Sequence, residues 1–267
     1  EVGLIDIAVI RVPRMSNFTD FNALERMQGV TLRYVEKVHQ LGSPDLILLP
    51  GTKNTMGDLK WMRMNGLEAA VLKQASDGTL VMGICGGYQM LGMTLEDPDG
   101  VEAGGSMRGM ELLPVHTVFE KAKTRTRVLG MTEALNGPWQ LLSGIAFEGY
   151  EIHMGETIFS DKDAADHKMM VQICDQVTGE SRWDGAQKKN VYGCYVHGIF
   201  DDREVADALI GALLEEKGYG EEAMHSMDYH AYKEKQYQIL ANAVRENMDM
   251  KKIYEIIEKG NAAECFI

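Results

Sequence analysis

Residues 81–92 read VMGICGGYQMLG. An apolar run ends at Gly83-Ile84-Cys85-Gly86-Gly87, and a helix-compatible segment, Tyr88 to Met93, follows at once. The pattern predicts a strand, a sharp turn and a helix with one cysteine at the apex. G-x-C-x-G is the thiol counterpart of the G-x-S-x-G nucleophile elbow. An apex residue of that kind sits in a strained backbone conformation, and side chains two positions to either side would clash, which glycine avoids. The thiol is then expected above a sheet edge at a helix N-terminus, where free N–H groups and the helix dipole favour thiolate. The five residues alone also suit a small buried cysteine in an ordinary strand-to-helix turn.

Working outward, apolar runs rich in β-branched residues recur at Ile5–Val12, Val30–Val35, Leu46–Leu49 and Leu80–Ile84. Helical patterns separate some of them, at Thr55–Met64 and Leu67–Ala75. Strands alternating with helices at this spacing give βαβ units and a mainly parallel sheet, an α/β fold. Ligands in such sheets bind beyond the carboxyl ends of the strands, where both Gly51 and Cys85 fall. Asn17-Phe-Thr-Asp20 reads as a cap for a helix over Phe21–Met27. Glu96 to Arg127 reads as an irregular excursion or lid. Antiparallel strands are expected over Val128–Phe159 and Met169–Gln176, a strand over Val191–Val196 and an amphipathic helix over Asp202–Lys217. The reading divides the chain into a domain over 1–217 and a helical extension over 218–267, packed on that domain or on a partner.

The chain has 267 residues, 45% hydrophobic and 25% charged, ordinary for a globular protein. A net charge of −13 argues against nonspecific binding to nucleic acid or anionic membrane. No run approaches the ~18 apolar residues of a membrane span. The opening, EVGLIDIAVIRVPR, has neither the basic start nor the cleavage site of a signal peptide, so a cytoplasmic location is the default. The four cysteines are scattered without zinc-site spacing, and no metal site is expected.

A cysteine nucleophile needs a base. His197 ends the strand Val191–Val196 and precedes glycine, so its ring is expected to stand free at the same sheet edge as Cys85. Oxyanion donors are expected from the backbone of Gly86 and of the Pro50-Gly51-Thr52 loop.

The set GICGGYQ, a strand ending in histidine and an LPGT loop resembles the class I glutamine amidotransferases. LPGTKNTMGDL, GICGGYQMLG, GYEIHMGET and YGCYVHGIF, in that order, resemble more narrowly the glutaminase half of the cobyric acid synthases. The resemblance spans about residues 4 to 215. It implies a flavodoxin-like domain with Cys85 as nucleophile, His197 as acid/base, and Gly51 and Gly86 as oxyanion donors. Gln89 would hold the bound glutamine or its thioester, and the stretch containing His153 and Gly155 would contact its amino-acid end. The implied activity is glutamine hydrolysis through a cysteinyl thioester, supplying ammonia for ATP-dependent amidation of corrinoid carboxylates. The implied partner is a synthetase domain or subunit carrying ATP, Mg and corrinoid, with no cofactor in this chain.

Two departures stand out. Many class I relatives have glutamate two residues after the histidine, where this chain has Ile199, so a Cys–His dyad is expected, steadied by a backbone carbonyl. Asp201 and Asp202 have a capping explanation at the next helix. No phosphate-binding G-x-x-x-x-G-K-[ST] loop occurs. The reading is therefore of a truncated chain or a separately encoded subunit, hydrolysing glutamine weakly or not at all alone. Other readings remain open: the glutaminase subunit of a cell-wall lipid precursor amidating complex, a non-catalytic amidotransferase-like docking module, or a cysteine-based stress or protease-like protein.

Overall fold

Short β-branched runs build the first sheet. In the computed structural model the chain runs through β1 (Ile5–Ile10), α1 (Asn22–Glu25), β2 (Val30–Val35), α2 (Val38–Leu41), β3 (Leu46–Leu49), α3 (Thr55–Met64), α4 (Leu67–Ser76), β4 (Leu80–Ile84) and α5 (Gly86–Leu91). Then come β5 (Thr94–Asp97), β6 (Gly105–Arg108), β7 (Val115–Thr132), β8 (Ala146–Phe159), β9 (Val171–Asp175), β10 (Ser181–Asp184), β11 (Ala186–Lys188), β12 (Val191–Cys194) and α6 (Arg203–Glu216). The structure describes residues 3–159, 168–219, 238, 241–249, 252 and 254. Two units emerge, Glu1–Met224 and His225–Ile267. In the second, residues 241–247 are helical; most of the expected helical extension lies outside the described residues.

The first sheet has strand order β11-β12-β4-β3-β1-β2. All its pairings are parallel except that of β11 with β12. Its central strands β3, β4 and β12 are buried throughout, which their uninterrupted apolar character demands when helices cover both faces. Register places Leu49 beside Gly83 and Cys194 beside Ile84. The three chains leaving the carboxyl edge therefore begin Pro50-Gly51, Cys85-Gly86 and Tyr195-Val196, side by side.

The stretch expected to be irregular, Glu96–Arg127, is instead the heart of a second sheet, ordered β10-β9-β7-β5-β6 with β8 also paired to β7. Its Gly and Pro residues punctuate real strands. Positions 115, 117 and 119 of β7 alternate buried with half-buried neighbours, a period-two pattern diluted by the charges that follow. A register shift between Val118 and Lys123 interrupts the β7–β8 ladder. An isolated bridge joins Tyr150 to His197, linking the two sheets beside the elbow.

Candidate functional site

Cys85 stands at φ 53, ψ −110, at the start of α5. Few non-glycine residues take such a backbone, and here packing enforces it. A Cβ on Gly87 would fall inside the Leu49 carbonyl of β3, so α5 lies directly on the sheet backbone. Cys85 N–H donates to the Cys194 carbonyl at 2.9 Å, and the Cys85 carbonyl accepts from Gln89 N–H at 3.0 Å. The turn is thus fixed at both ends by main chain. Gly86 faces the neighbouring loop, where a Cβ would come within 2.6 Å of the Thr52 methyl.

The thiol is 7% exposed, and its Sγ lies 3.7 Å from the Ile152 carbonyl of β8. Burial pushes its pKa up to about 12, the Gly86 N–H pulling down against it and the Asp20 carboxylate adding to the rise. The expected preference for thiolate is therefore overridden. Desolvation outweighs the single helix-terminal N–H, and the enclosed sulfur is a thiol near neutral pH.

Cys85 opens on a cavity of about 300 Å³ whose wall also includes Gln89, His153, Asn17, Lys53 and Glu102. The Gln89 side chain is buried and fully engaged. Its Oε1 accepts from Thr55 Oγ1 at 2.9 Å, and its Nε2 donates to the Met154 carbonyl at 3.1 Å and the Tyr195 hydroxyl at 3.0 Å. The His153 ring stacks on Tyr195 with centroids 3.7 Å apart. Its Nδ1 is 3.1 Å from the Gly155 carbonyl, while its Nε2 is buried with no hydrogen-bond partner among the described residues, the Glu151 carboxylate lying 4.0 Å away. Burial pushes the His153 pKa down to about 4, so the ring is neutral. Gly155 itself has φ +89, and a Cβ there would fall 2.6 Å from the Val118 carbonyl oxygen at the bulge.

His197 is not free at the sheet edge but 0% exposed. A Cβ on Gly51 would sit 2.9 Å from the His197 Cε1, so glycine there admits the ring beside the loop. Tyr150 stacks on its other side with centroids 5.2 Å apart. The expected carbonyl support is also replaced. His197 Nδ1 lies 2.7 Å from Asp20 Oδ2, and the other oxygen of Asp20 accepts from Gly198 N–H at 3.2 Å. Asn17 Nδ2 lies 2.8 Å from Nε2 and 3.0 Å from Nδ1 of the same ring.

Asp20 and Asn17 escaped sequence reasoning because an Asn followed three residues later by Asp before an apolar run looks like a helix start. A 3-10 turn, Phe18–Phe21, does follow Asn17, but neither it nor α1 receives a side-chain cap. Both polar side chains go to His197 instead. Asp202 does cap α6, accepting from Glu204 N–H. Asp201 Oδ2 faces Gly198 rather than the imidazole.

The structure therefore gathers Cys85, Gln89 and His153 around one cavity, with Gly51 joining its neighbour Thr52 to His197. Gly155 supports His153 through its carbonyl. Among the described residues, no group of three or more His, Cys, Asp or Glu side chains could hold a metal.

The profile of the CobB/CobQ-like glutamine amidotransferase domain matches residues 6–205, most of the chain. The chain belongs to this family. It is 53% identical over 259 residues to a cobyric acid synthase of Ruminiclostridium cellulolyticum, covering 97% of this chain and 50% of the relative. A cobyric acid synthase of Lachnoclostridium phytofermentans is 49% identical, with 96% of this chain and 51% of the relative covered. The chain thus spans about half the length of these curated relatives. Among solved structures it is similar to PurLQS from Thermotoga maritima, with TM-score 0.58 and 22% identity over 78% of this chain and 99% of that one. A second, a glutamine amidotransferase, matches with TM-score 0.51 and 17% identity over 79% of this chain and 98% of that one. At these identities the two structures speak for the amidotransferase fold. No described helix is long and apolar enough to cross a membrane.

Proposed function

We propose that this amidotransferase domain is the glutamine-hydrolysing half of a cobyric acid synthase. It would release ammonia for ATP-dependent amidation of corrinoid carboxylates in cobalamin biosynthesis, with ATP and corrinoid held by another part of such a protein. The observation that carries this reading is Cys85, held at φ 53 on a cavity of about 300 Å³ that it shares with Gln89 and His153. Identity to named cobyric acid synthases supports the choice of corrinoid over other amide acceptors.

In the proposed chemistry the Cys85 proton passes to His197 Nε2, since Nδ1 is engaged by Asp20. The thiolate attacks the carboxamide carbon of glutamine, and the developing oxyanion is met by the N–H groups of Gly51 and Gly86. His197 returns the proton to the departing nitrogen, so ammonia leaves and a γ-glutamyl thioester remains. Water then gives its proton to His197 and attacks the thioester. Glutamate leaves and Cys85 recovers its proton. The Nε2 of His153, which has no hydrogen-bond partner among the described residues, is a polar group offered to the bound amino acid, and Gln89, engaged by Thr55, Met154 and Tyr195, would hold the wall against which it sits.

A glutamine-analogue diazoketone tests the assignment. Mass spectrometry should find one adduct, on Cys85, that excess glutamine prevents. Labelling elsewhere, or labelling indifferent to glutamine, would overturn it in favour of a docking module or another cysteine chemistry.

A further inference from the structure

Among the described residues lining the cavity beside Cys85, one carries a carboxylate, Glu102. It belongs to the stretch Asp97-Pro98-Asp99-Gly100-Val101-Glu102-Ala103-Gly104, whose sequence reads as irregular. The loop is nevertheless built around a single side chain. Asp97, 1% exposed at the end of β5, accepts from the N–H groups of Val101 at 2.7 Å, Glu102 at 2.8 Å, Ala103 at 3.0 Å and Gly104 at 2.8 Å. Gly100 and Gly104, at φ +66 and +72, supply the left-handed turns that such a wrap requires. One buried carboxylate thus folds the loop that presents another.

The Glu102 carboxylate is anchored without being neutralised. Its two oxygens accept from Thr55 N–H and Met56 N–H at the start of α3, each at 2.9 Å. A carboxylate oxygen has two lone pairs, so acceptor capacity remains. No Lys, Arg or His forms an ion pair with Glu102 among the described residues. Burial pushes its pKa up against the pull of those two N–H groups, as expected for an enclosed anion without a cation. The opposite charge lines the same cavity: Lys53 and Lys123, neither of which has an ion-pair partner among the described residues. About 300 Å³ is small for a ligand site, so a ligand there meets the walls on most sides. An α-amino acid brings one ammonium and one carboxylate, and each needs an opposite charge or hydrogen-bond partners once water is displaced.

Resting on the reading of this cavity as the glutamine site, we infer that Glu102 is a specificity-determining residue: its carboxylate receives the α-ammonium of the substrate and so selects an amino-acid amide over a plain carboxamide. The loop wrapped on Asp97 is the mount of this group. Thr55 ties it to the reacting end of the site, because its N–H holds Glu102 while its hydroxyl donates to Gln89 on the helix that follows Cys85.

The test titrates protection of Cys85 in the whole chain. Iodoacetamide, which is uncharged, alkylates the thiol at pH 8, mass spectrometry locates the adduct, and the ligand concentration that halves its rate is read. Two ligands are compared: glutamine, and glutaramate, which is glutamine without the α-ammonium. In the wild type glutaramate should need a concentration about 100-fold higher than glutamine. Glutaramate protecting as well as glutamine would overturn the inference before any variant is made. Glu102→Gln should raise the requirement for glutamine about 100-fold and leave that for glutaramate within about threefold, so the preference collapses. A side chain that only anchors the loop to α3 would weaken both ligands equally. That result, or a preference left intact, ends the role given to Glu102. Glu102→Asp keeps the charge but withdraws it by one methylene, and should cut the preference to about tenfold. An undiminished preference there overturns the inference even if Glu102→Gln fails to fold. Protection by neither ligand would overturn the reading of the cavity as the glutamine site, and the role of Glu102 with it.

Discussion

The two sides of the site are held by different kinds of force. Around Cys85 main chain packs on main chain: α5 lies against β3 through Gly87, and the cysteine is pinned by the Cys194 carbonyl. Around His197 the ring is fixed mainly by side chains, the Asp20 carboxylate, the Asn17 amide and the Tyr150 ring. Backbone packing leaves no freedom and tolerates almost no substitution at its glycines. Side-chain mounting allows adjustment, and a hydrogen bond between two side chains can be exchanged for another at small net cost. In the proposed chemistry, a nucleophile that stays put and a base that passes protons between partners would suit those two modes respectively.

The contrast can be broken by mutation. The largest loss of activity is expected from His197→Gln, which should reduce glutamine hydrolysis by about 10²–10⁴-fold. Steady-state assays with ammonia detection measure it. Gly87→Ala should act on the fold instead, because its methyl meets the Leu49 carbonyl and the backbone must move. A loss of about 3 kcal/mol is expected in urea unfolding. If this variant keeps wild-type stability, the elbow is not held by backbone packing. Gln89→Ala removes three hydrogen bonds, to the Thr55 hydroxyl, the Met154 carbonyl and the Tyr195 hydroxyl, the last of which keeps the Thr157 hydroxyl as its partner. About 1–3 kcal/mol of stability should go, with weaker glutamine binding by calorimetry. Asp202→Ala loses a helix cap and about 1 kcal/mol, seen as a small shift in the urea midpoint.

A pH experiment sharpens the nucleophile side. With the Cys85 pKa raised to about 12 by burial, alkylation of the free chain should still be accelerating above pH 9, where an ordinary exposed thiol has levelled off. A plateau near neutral pH would mean that the sulfur is already ionised. Asp184 supplies a stability counterpart: burial pushes its pKa up to about 7. A carboxyl that binds its proton more tightly when folded contributes nothing below its unfolded pKa near 3.8. Its ionisation then lowers stability as pH rises from there to about 7. Asp184→Asn should flatten that part of the stability curve.

The same difference in forces explains what could be seen beforehand. Strand β4, the elbow, helices α3 and α4 and the strand leading to His197 follow from local rules: apolar runs, glycine at close approach, a period of 3.6. The second sheet was obscured because β7 crosses a charged stretch, KAKTRTR, where its outward side chains mask the alternation. Asp20 was invisible for another reason. A carboxylate whose partner lies 177 residues away leaves no periodicity, and its nearest sequence context offers a capping role that the fold does not use. The burial that keeps Cys85 a thiol likewise depends on β8, whose Ile152 lies 67 positions along the chain from the cysteine.

Strand β8 reaches Cys85, Gln89 and His197 with atoms that all amino acids share. Tyr150 exchanges main-chain hydrogen bonds with His197 at 2.8 and 3.1 Å, the Ile152 carbonyl faces the Cys85 sulfur, and the Met154 carbonyl accepts from Gln89. Successive alternate residues of one strand edge present these groups. Replacing the Ile152 or Met154 side chain leaves these main-chain contacts standing, and replacing Tyr150 removes only its ring from His197, whereas adding or deleting one residue between the bulge and Tyr150 displaces them together. This wall of the pocket is thus forgiving of spelling and strict about length.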